Sequence, residues 1–212
     1  MRRLPVYLVL DTSGSMTGEP IEAVKNGVQV MIASLRQNPQ AIETAFISVI
    51  TFDNIAQQII PLTDLASFQM VDIKATGVTV LGDALKLLSE RIDSEVAKTT
   101  MVKKGDWKPL VFIMTDGVPT DDWQSGLQAF SLQSTAMTVA CAAGKSADTE
   151  VLKKITPNVV QLDDADSTSI AKFFQWVSAS ISVSSTKVED SGKEISGLKE
   201  LPPPPPELNI VI

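Results

Sequence analysis

The chain has 212 residues, enough for one α/β domain with a full core, and 18 Lys and Arg against 25 Asp and Glu leave a net charge of −7. That balance argues against nucleic acid or an anionic membrane as partner, since both select basic surface. Histidine is absent and Cys141 is the one cysteine, which excludes histidine-based catalysis, Ser-His-Asp triads, His-ligated zinc and an intrachain disulfide. The lone thiol sits in an apolar stretch, so it reads as a small core residue and suits the reducing cytoplasm. Met1-Arg2-Arg3 precedes too short an apolar run for a signal peptide or spanning helix, and no later segment reaches that length.

Val6-Tyr7-Leu8-Val9-Leu10 is an unbroken apolar run, which predicts a strand covered on both faces. Over residues 19–36 the positions Ile21, Val24, Val28, Met31, Ile32 and Leu35 recur at helical spacing, and Asn38-Pro39 supplies the stop. Residues 45–52 predict a second strand and 55–60 a third. Only Asp53-Asn54 separates them, so the third is expected as an antiparallel edge. Leu81, Leu85, Leu88 and Ile92 mark a helix to about residue 96, and 109–115 a fourth strand ending at Asp116-Gly117. A short helix over 122–132, a strand over 136–142, a short helix over 149–155 and a brief strand over 159–162 follow. Asp166-Ser167 then caps a last amphipathic helix carrying Ile170, Phe173, Phe174, Val177 and Ile181.

Strands alternating with helices predict a doubly wound, mostly parallel six-stranded α/β sheet, with one antiparallel edge strand and helices on both faces. The domain is expected over residues 1–183. From Ser184 the composition turns to Ser, Lys, Glu and Gly and then to five prolines at 202–206, which predicts a linker and proline-rich tail over 184–212. The proline run can dock in an aromatic groove, but being single and short it reads first as a spacer. The apolar end, Leu208-Asn209-Ile210-Val211-Ile212, can pack back on the domain or insert into a partner.

Ligand sites of open α/β sheets lie outside the carboxyl ends of the strands. Three such loops carry oxygen donors: Asp11-Thr12-Ser13-Gly14-Ser15 after the first strand, Gly77-Val78-Thr79 before the third helix, and Thr115-Asp116-Gly117 after the fourth strand. In Asp-x-Ser-x-Ser, alternate residues of a tight turn can point inward together, and Gly14 lets the backbone bend between them. Asp11, Ser13, Ser15, Thr79 and Asp116 make an all-oxygen set suited to a hard cation such as Mg²⁺ or Mn²⁺, and two carboxylates balance one dication. Each piece also has a plain reading. Asp11, Ser13 and Ser15 can cap a helix, Asp116-Gly117 is an ordinary turn, and Thr79 can cap the helix that follows. Asp121-Asp122 can form an acidic rim that attracts cations but reads first as a cap of the next helix, and Trp107 and Trp123 flank the site in sequence as either hot-spot or packing residues.

These three loops resemble the metal-site loops of von Willebrand factor type A (vWA) domains, over roughly residues 4–182. The resemblance implies hydroxyl ligands from Ser13, Ser15 and Thr79, carboxylates from Asp11 and Asp116 directly or through water, and an acidic residue of a protein partner completing the shell. Val78 and Val80 depart from the commonest loop, which bears on its conformation and affinity. Length, proline-rich tail and lack of histidine are also similar to bacterial TerY-type proteins of tellurium-resistance and stress operons. Together these imply a metal-dependent protein-binding module without catalytic turnover. One alternative is a phosphatase of haloacid-dehalogenase type, but such enzymes need a second carboxylate where this chain has Ser13. A nucleotide site lacks its glycine-rich loop. A regulatory scaffold with a purely structural metal would keep its partner without the ion.

Overall fold

In the computed structural model, which describes residues 2–133 and 136–211, the first apolar run forms β1 (Leu4–Asp11), buried at every position. Its alternate residues serve two cores. Leu4, Val6, Leu8 and Leu10 point to one, Tyr7 and Val9 to the other. The first core lies under α1 (Glu19–Leu35), α2 (Pro39–Thr44) and α6 (Ser167–Ser191). The second lies under α3 (Leu81–Glu95), α4 (Trp123–Gln133) and α5 (Thr149–Ile155).

Among the described residues the other strands are β2 (Ala45–Phe52), β3 (Ala56–Asp64), β4 (Leu110–Thr115), β5 (Met137–Ala143), β6 (Val159–Leu162) and β7 (Leu208–Val211). They form one sheet in the order β3-β2-β1-β4-β5-β6-β7. From β2 to β6 neighbours are parallel, while β3 and β7 run antiparallel at the two edges. The expected antiparallel edge is therefore present, and Pro61 is tolerated there because an edge strand has a side without a ladder. The chain leaves β1 in one direction for β2 and later returns to β4 on its other side. The carboxyl ends of β1 and β4 thus form the switch point of the sheet.

Three features differ from the sequence expectation. Asn38-Pro39 ends α1 and also starts α2: the Asn38 side chain accepts the Ala41 N–H at 3.0 Å, with Pro39 in the first turn. Helix α6 continues through the expected 183/184 boundary, because Ser184, Ser185 and Val188 are buried on the same face as Ile181 and Ser184 Oγ donates to the Ser180 carbonyl at 2.7 Å. It stops at Gly192, whose left-handed φ of 62° caps the helix. Among the described residues the sheet also has seven strands where six were expected. Residues 192–207 return across the domain with Ile195 and Leu201 buried, and Trp176 Nε1 donates to the Pro202 carbonyl at 2.8 Å. The chain then adds β7, with Leu208 buried opposite Leu162. The apolar end thus packs back on the domain as far as Val211, and Met1 and Ile212 lie outside the described residues. Among the described residues no helix is long and apolar enough to cross a membrane.

Candidate metal centre

Asp11 is the last residue of β1 and is 1 % exposed. Both of its carboxylate oxygens are engaged: Oδ1 accepts the Ser13 N–H at 2.7 Å and Oδ2 the Thr115 hydroxyl at 2.5 Å. It therefore shapes the turn that follows, a single 3₁₀ turn over Gly14–Met16. That turn places Ser13 Oγ 3.0 Å from Ser15 Oγ, and Ser15 Oγ donates to Asp116 Oδ1 at 2.6 Å. Two hydroxyls from one loop and a carboxylate from another converge between the ends of β1 and β4.

The third loop is stitched to the first by backbone. Gly14 N–H donates to the Gly77 carbonyl at 3.1 Å and Thr76 N–H to the Thr12 carbonyl at 2.8 Å. Gly77 has φ of 73°, a conformation that favours glycine. Gly14 serves differently from the expected bend: a side chain there would stand 3.2 Å from the Gly77 carbonyl, so its smallness lets the two loops meet. Thr79 is buried, and a side chain at Gly117 would lie 3.1 Å from Thr79 Oγ1. The Thr79 hydroxyl thus sits directly beside the β4 loop that holds Asp116.

Sequence reasoning missed the residues that hold these loops. Asp121 caps α3, accepting the Gly82 N–H at 3.0 Å and the Asp83 N–H at 2.9 Å, so Thr79 is not the cap of that helix. The expected capping of α4 comes from Asp122, which accepts the Ser125 N–H at 3.2 Å. Thr120 clasps Thr79 with its N–H at 2.9 Å and its hydroxyl at 3.2 Å, both to the Thr79 carbonyl. Ser146 donates to the Asp116 carbonyl at 3.0 Å. Asp121 and Thr120 lie a few residues beyond Asp116 in sequence, but their target is a helix some forty residues earlier, which no local pattern reveals. Trp107 is not at this face. Its N–H bonds the Arg3 carbonyl at the start of β1, and the Arg2 guanidinium lies 3.4 Å over its ring, at the opposite end of the sheet. Trp123 packs at the start of α4 against the second core.

The electrostatics favour a cation. Burial pushes the Asp11 carboxyl up to about 6, opposed by the Ser13 and Thr115 hydrogen bonds and reinforced by the charge of Asp116. Burial also raises Asp116 above the usual carboxylate range, countered by Ser15. Two poorly solvated carboxylates at one switch point are relieved by a positive ion. Among the described residues no three His, Cys, Asp or Glu side chains cluster to hold a metal, so an ion here must rely on hydroxyls as well. The donor set is compatible with one: an octahedral ion at 2.0–2.1 Å puts adjacent ligand oxygens about 2.8–3.0 Å apart, and the hydrogen-bonded Ser13 and Ser15 hydroxyls stand 3.0 Å apart.

Cys141 is fully buried, and burial holds its thiol far above the ordinary range, as expected of an inert core residue.

Comparison with known proteins agrees with this architecture. The family model of the von Willebrand factor type A domain matches residues 6–176. The uncharacterised protein sll0103 of Synechocystis sp. is 34 % identical over 123 residues, 55 % of this chain, and the match spans 26 % of that relative. Among solved structures, a von Willebrand factor type A protein from Catenulispora acidiphila aligns with a TM-score of 0.63 and 17 % identity, over 85 % of this chain and 43 % of that one. The pilus adhesin SpaC of Lactobacillus rhamnosus GG gives 0.66 and 14 %, over 86 % and 30 %. Proximal thread matrix protein 1 from the mussel byssus, with a zinc-occupied MIDAS motif, gives 0.62 and 18 %, over 87 % and 46 %. With the two-core sheet, its switch-point loops and a family match running from β1 into α6, this chain belongs to the von Willebrand factor type A domain family.

Proposed function

We propose that the chain is a metal-dependent protein-binding module. The observation that carries this reading is the convergence of Ser13 Oγ, Ser15 Oγ and Asp116 Oδ1 at the switch point, with Thr79 alongside. Ser13, Ser15 and Thr79 would hold a divalent cation, Mg²⁺ or Mn²⁺, through their hydroxyls, and Asp116 through its carboxylate. Asp11, its oxygens committed to Ser13 and Thr115, would balance charge and hold Ser13 in place or act through water. When bound, the ion supplies a Lewis-acidic position that accepts a carboxylate from a protein partner. Two carboxylates match the charge of a dication, so the partner's acid meets no surplus negative charge from the metal shell.

Turnover is not part of the proposal. An aspartate held on both oxygens and 1 % exposed is a poor nucleophile, and neither a histidine nor an accessible thiol stands beside it. A cytoplasmic setting is proposed from the lone buried cysteine. A place in a tellurium-resistance or stress-response system rests on the sequence resemblance to TerY-type proteins. The test is affinity capture from cell extract in Mg²⁺, in chelator, and with Thr79→Ala. The expected result is a protein retained in Mg²⁺ alone. A partner held equally in all three samples overturns metal-dependent binding.

A further inference from the structure

Beyond the metal face, the connection from α3 to β4 forms an ordered arm at the opposite end of the sheet. Ala97 and Asp106 bridge its base, the Asp106 N–H donating to the Ala97 carbonyl and Asp106 Oδ2 accepting the Ala97 N–H, both at 2.8 Å. Gly105 N–H bonds Thr99 Oγ1 at 3.0 Å, and a side chain at 105 would run into the Ala97 carbonyl, so the two limbs lie in close contact. Thr100 N–H donates to the Lys103 carbonyl at 2.9 Å and Thr100 Oγ1 accepts the Lys103 N–H at 3.2 Å. The tip of the arm is therefore Met101-Val102.

Tight turns favour Gly, Asn, Asp, Ser or Pro for stated conformational reasons, and none of those reasons selects Met followed by Val. These side chains are 107 % and 95 % exposed, against 78 % for Leu132, the next most exposed large apolar residue among those described. A single exposed apolar residue is ordinary, but an adjacent pair held fully in water at the end of a hydrogen-bonded arm is not explained by folding. Their surroundings are basic. Lys98, Lys103, Lys104 and Lys108 lie on the arm or at its base, and Arg2 Nε donates to the Gly105 carbonyl. The one acidic residue of 97–108, Asp106, is taken up by Arg3. Lys98 pairs with exposed Asp93, whereas Lys103, Lys104 and Lys108 form no ion pair among the described residues. Glu194 stands at the foot of the arm, accepting the Lys108 N–H at 3.0 Å and lying 4.0 Å from Arg2 Nη2, so the positive charge is concentrated toward the tip, at Lys103 and Lys104.

We propose that this arm docks on an anionic lipid bilayer, with Met101 and Val102 entering the interface and the lysines meeting the headgroups. A convex apolar tip needs no complementary groove when the partner is fluid lipid, and weak apolar insertion joined to a basic cluster is the two-signal pattern of reversible surface binding. The net charge of −7 argues against an anionic membrane for the chain as a whole, but the acidic excess lies outside the tip of this arm, and at physiological salt charges more than about a Debye length from the surface are screened. The geometry also turns the metal centre away from the bilayer, since Trp107 at the foot of the arm bonds Arg3 at the amino end of β1 and the metal loops follow its carboxyl end.

Sedimentation of the full chain with vesicles tests this, comparing phosphatidylcholine alone with phosphatidylcholine containing about 30 % phosphatidylserine, at low and physiological salt. The expected result is binding to the anionic vesicles only, weakened by salt. Met101→Ser with Val102→Ser, and separately Lys103→Glu with Lys104→Glu, should each lower it about tenfold. Asp116→Ala should bind as the unaltered chain does, which separates this face from the metal reading. Failure of the unaltered chain to sediment with anionic vesicles, or binding by both double variants as strong as that of the unaltered chain, overturns the proposal. Loss of a captured protein in the tip variant, with no vesicle binding by the unaltered chain, assigns the tip to a protein groove and overturns it too.

Discussion

Replacing Asp11 by Asn separates the charge of the candidate centre from its shape. Burial holds this carboxyl at about 6, above the 3.8 of a free aspartate. With the native value above the unfolded one, the folded chain binds more protons between those values, so this group's contribution to stability falls as pH rises through the window. Above it, the shift corresponds to about 3 kcal/mol of destabilisation at a single carboxylate. Asn keeps an acceptor for the Ser13 N–H and can donate to Thr115 Oγ1, which already accepts the Gly117 N–H. The Thr115 proton then loses its acceptor, at a cost of about 1 kcal/mol. The net expectation in chelator at neutral pH is a variant more stable by about 2 kcal/mol, or about 4–8 °C in a domain of this size. That advantage should vanish near pH 4. In Mg²⁺ the order should close or reverse, because the unaltered chain gains about 2.7 kcal/mol at one hundred times Kd and the variant much less. Circular-dichroism melts across this pH range, with chelator and with Mg²⁺, make the measurement. A variant that melts below the unaltered chain in chelator at neutral pH, or a difference that does not change with pH, refutes the reasoning.

Asp116→Ala removes the carboxylate that Ser15 bonds and should weaken Mg²⁺ binding by about a hundredfold or more, with the fold retained, as measured by titration calorimetry; unchanged affinity removes Asp116 from the shell. Gly126→Ala places a methyl group against the backbone of Gly82, where α3 and α4 cross. Backbone does not yield as a side chain does, so a loss of about 3 kcal/mol in urea unfolding is expected. The metal affinity should fall with it, because Thr79 leads into the same end of α3; a neutral substitution refutes the close crossing. Truncation after Ser191 discards Ile195, Leu201 and Leu208, all buried, and should cost about 5 kcal/mol. It also leaves β6 as an open edge, so association on gel filtration should accompany the loss. A truncated chain as stable and as monomeric as the full one would show that the segment merely rests on the surface.

Where one physical rule dominates a segment, the sequence was enough to place it. β1 reads as doubly buried because all its positions are apolar, and α1 and α3 because their apolar residues recur at helical spacing. The short Asp53-Asn54 connection forces β3 to pair antiparallel. The C-terminal segment escaped because its burial is carried by features that look polar or irregular. Serines at 180, 184 and 185 are fully buried in α6, and a proline run lies between Leu201 and Leu208, each of which reaches the core alone. Periodicity detects repeated burial, not isolated anchors. Strand β7 is four residues long with two of them exposed, too little pattern to separate it from an apolar tail.

The candidate site divides along the same line. The residues that converge there were legible because Asp11, Ser13 and Ser15 lie within five residues at a strand end, and Thr79 and Asp116 stand at the ends of other elements. What holds them together is long-range. Thr115 grips Asp11 across 104 residues, and Asp121 and Thr120 tie the β4 loop to the start of α3. These ties give the arrangement a direction. Asp11 is held by the Ser13 N–H and the Thr115 hydroxyl, so both of its oxygens are spoken for; in the proposed site the hydroxyls of Ser13 and Ser15 would be what the first loop offers to an ion. A set with one committed carboxylate, one available carboxylate and three hydroxyls cannot surround a hard cation with charged ligands from the chain alone. On this reading the shortfall is the basis of recognition. A partner's carboxylate would supply the further charged ligand, and the backbone bonds from Gly14 to Gly77, Thr76 to Thr12 and Thr120 to Thr79 would let the three loops meet it as one body.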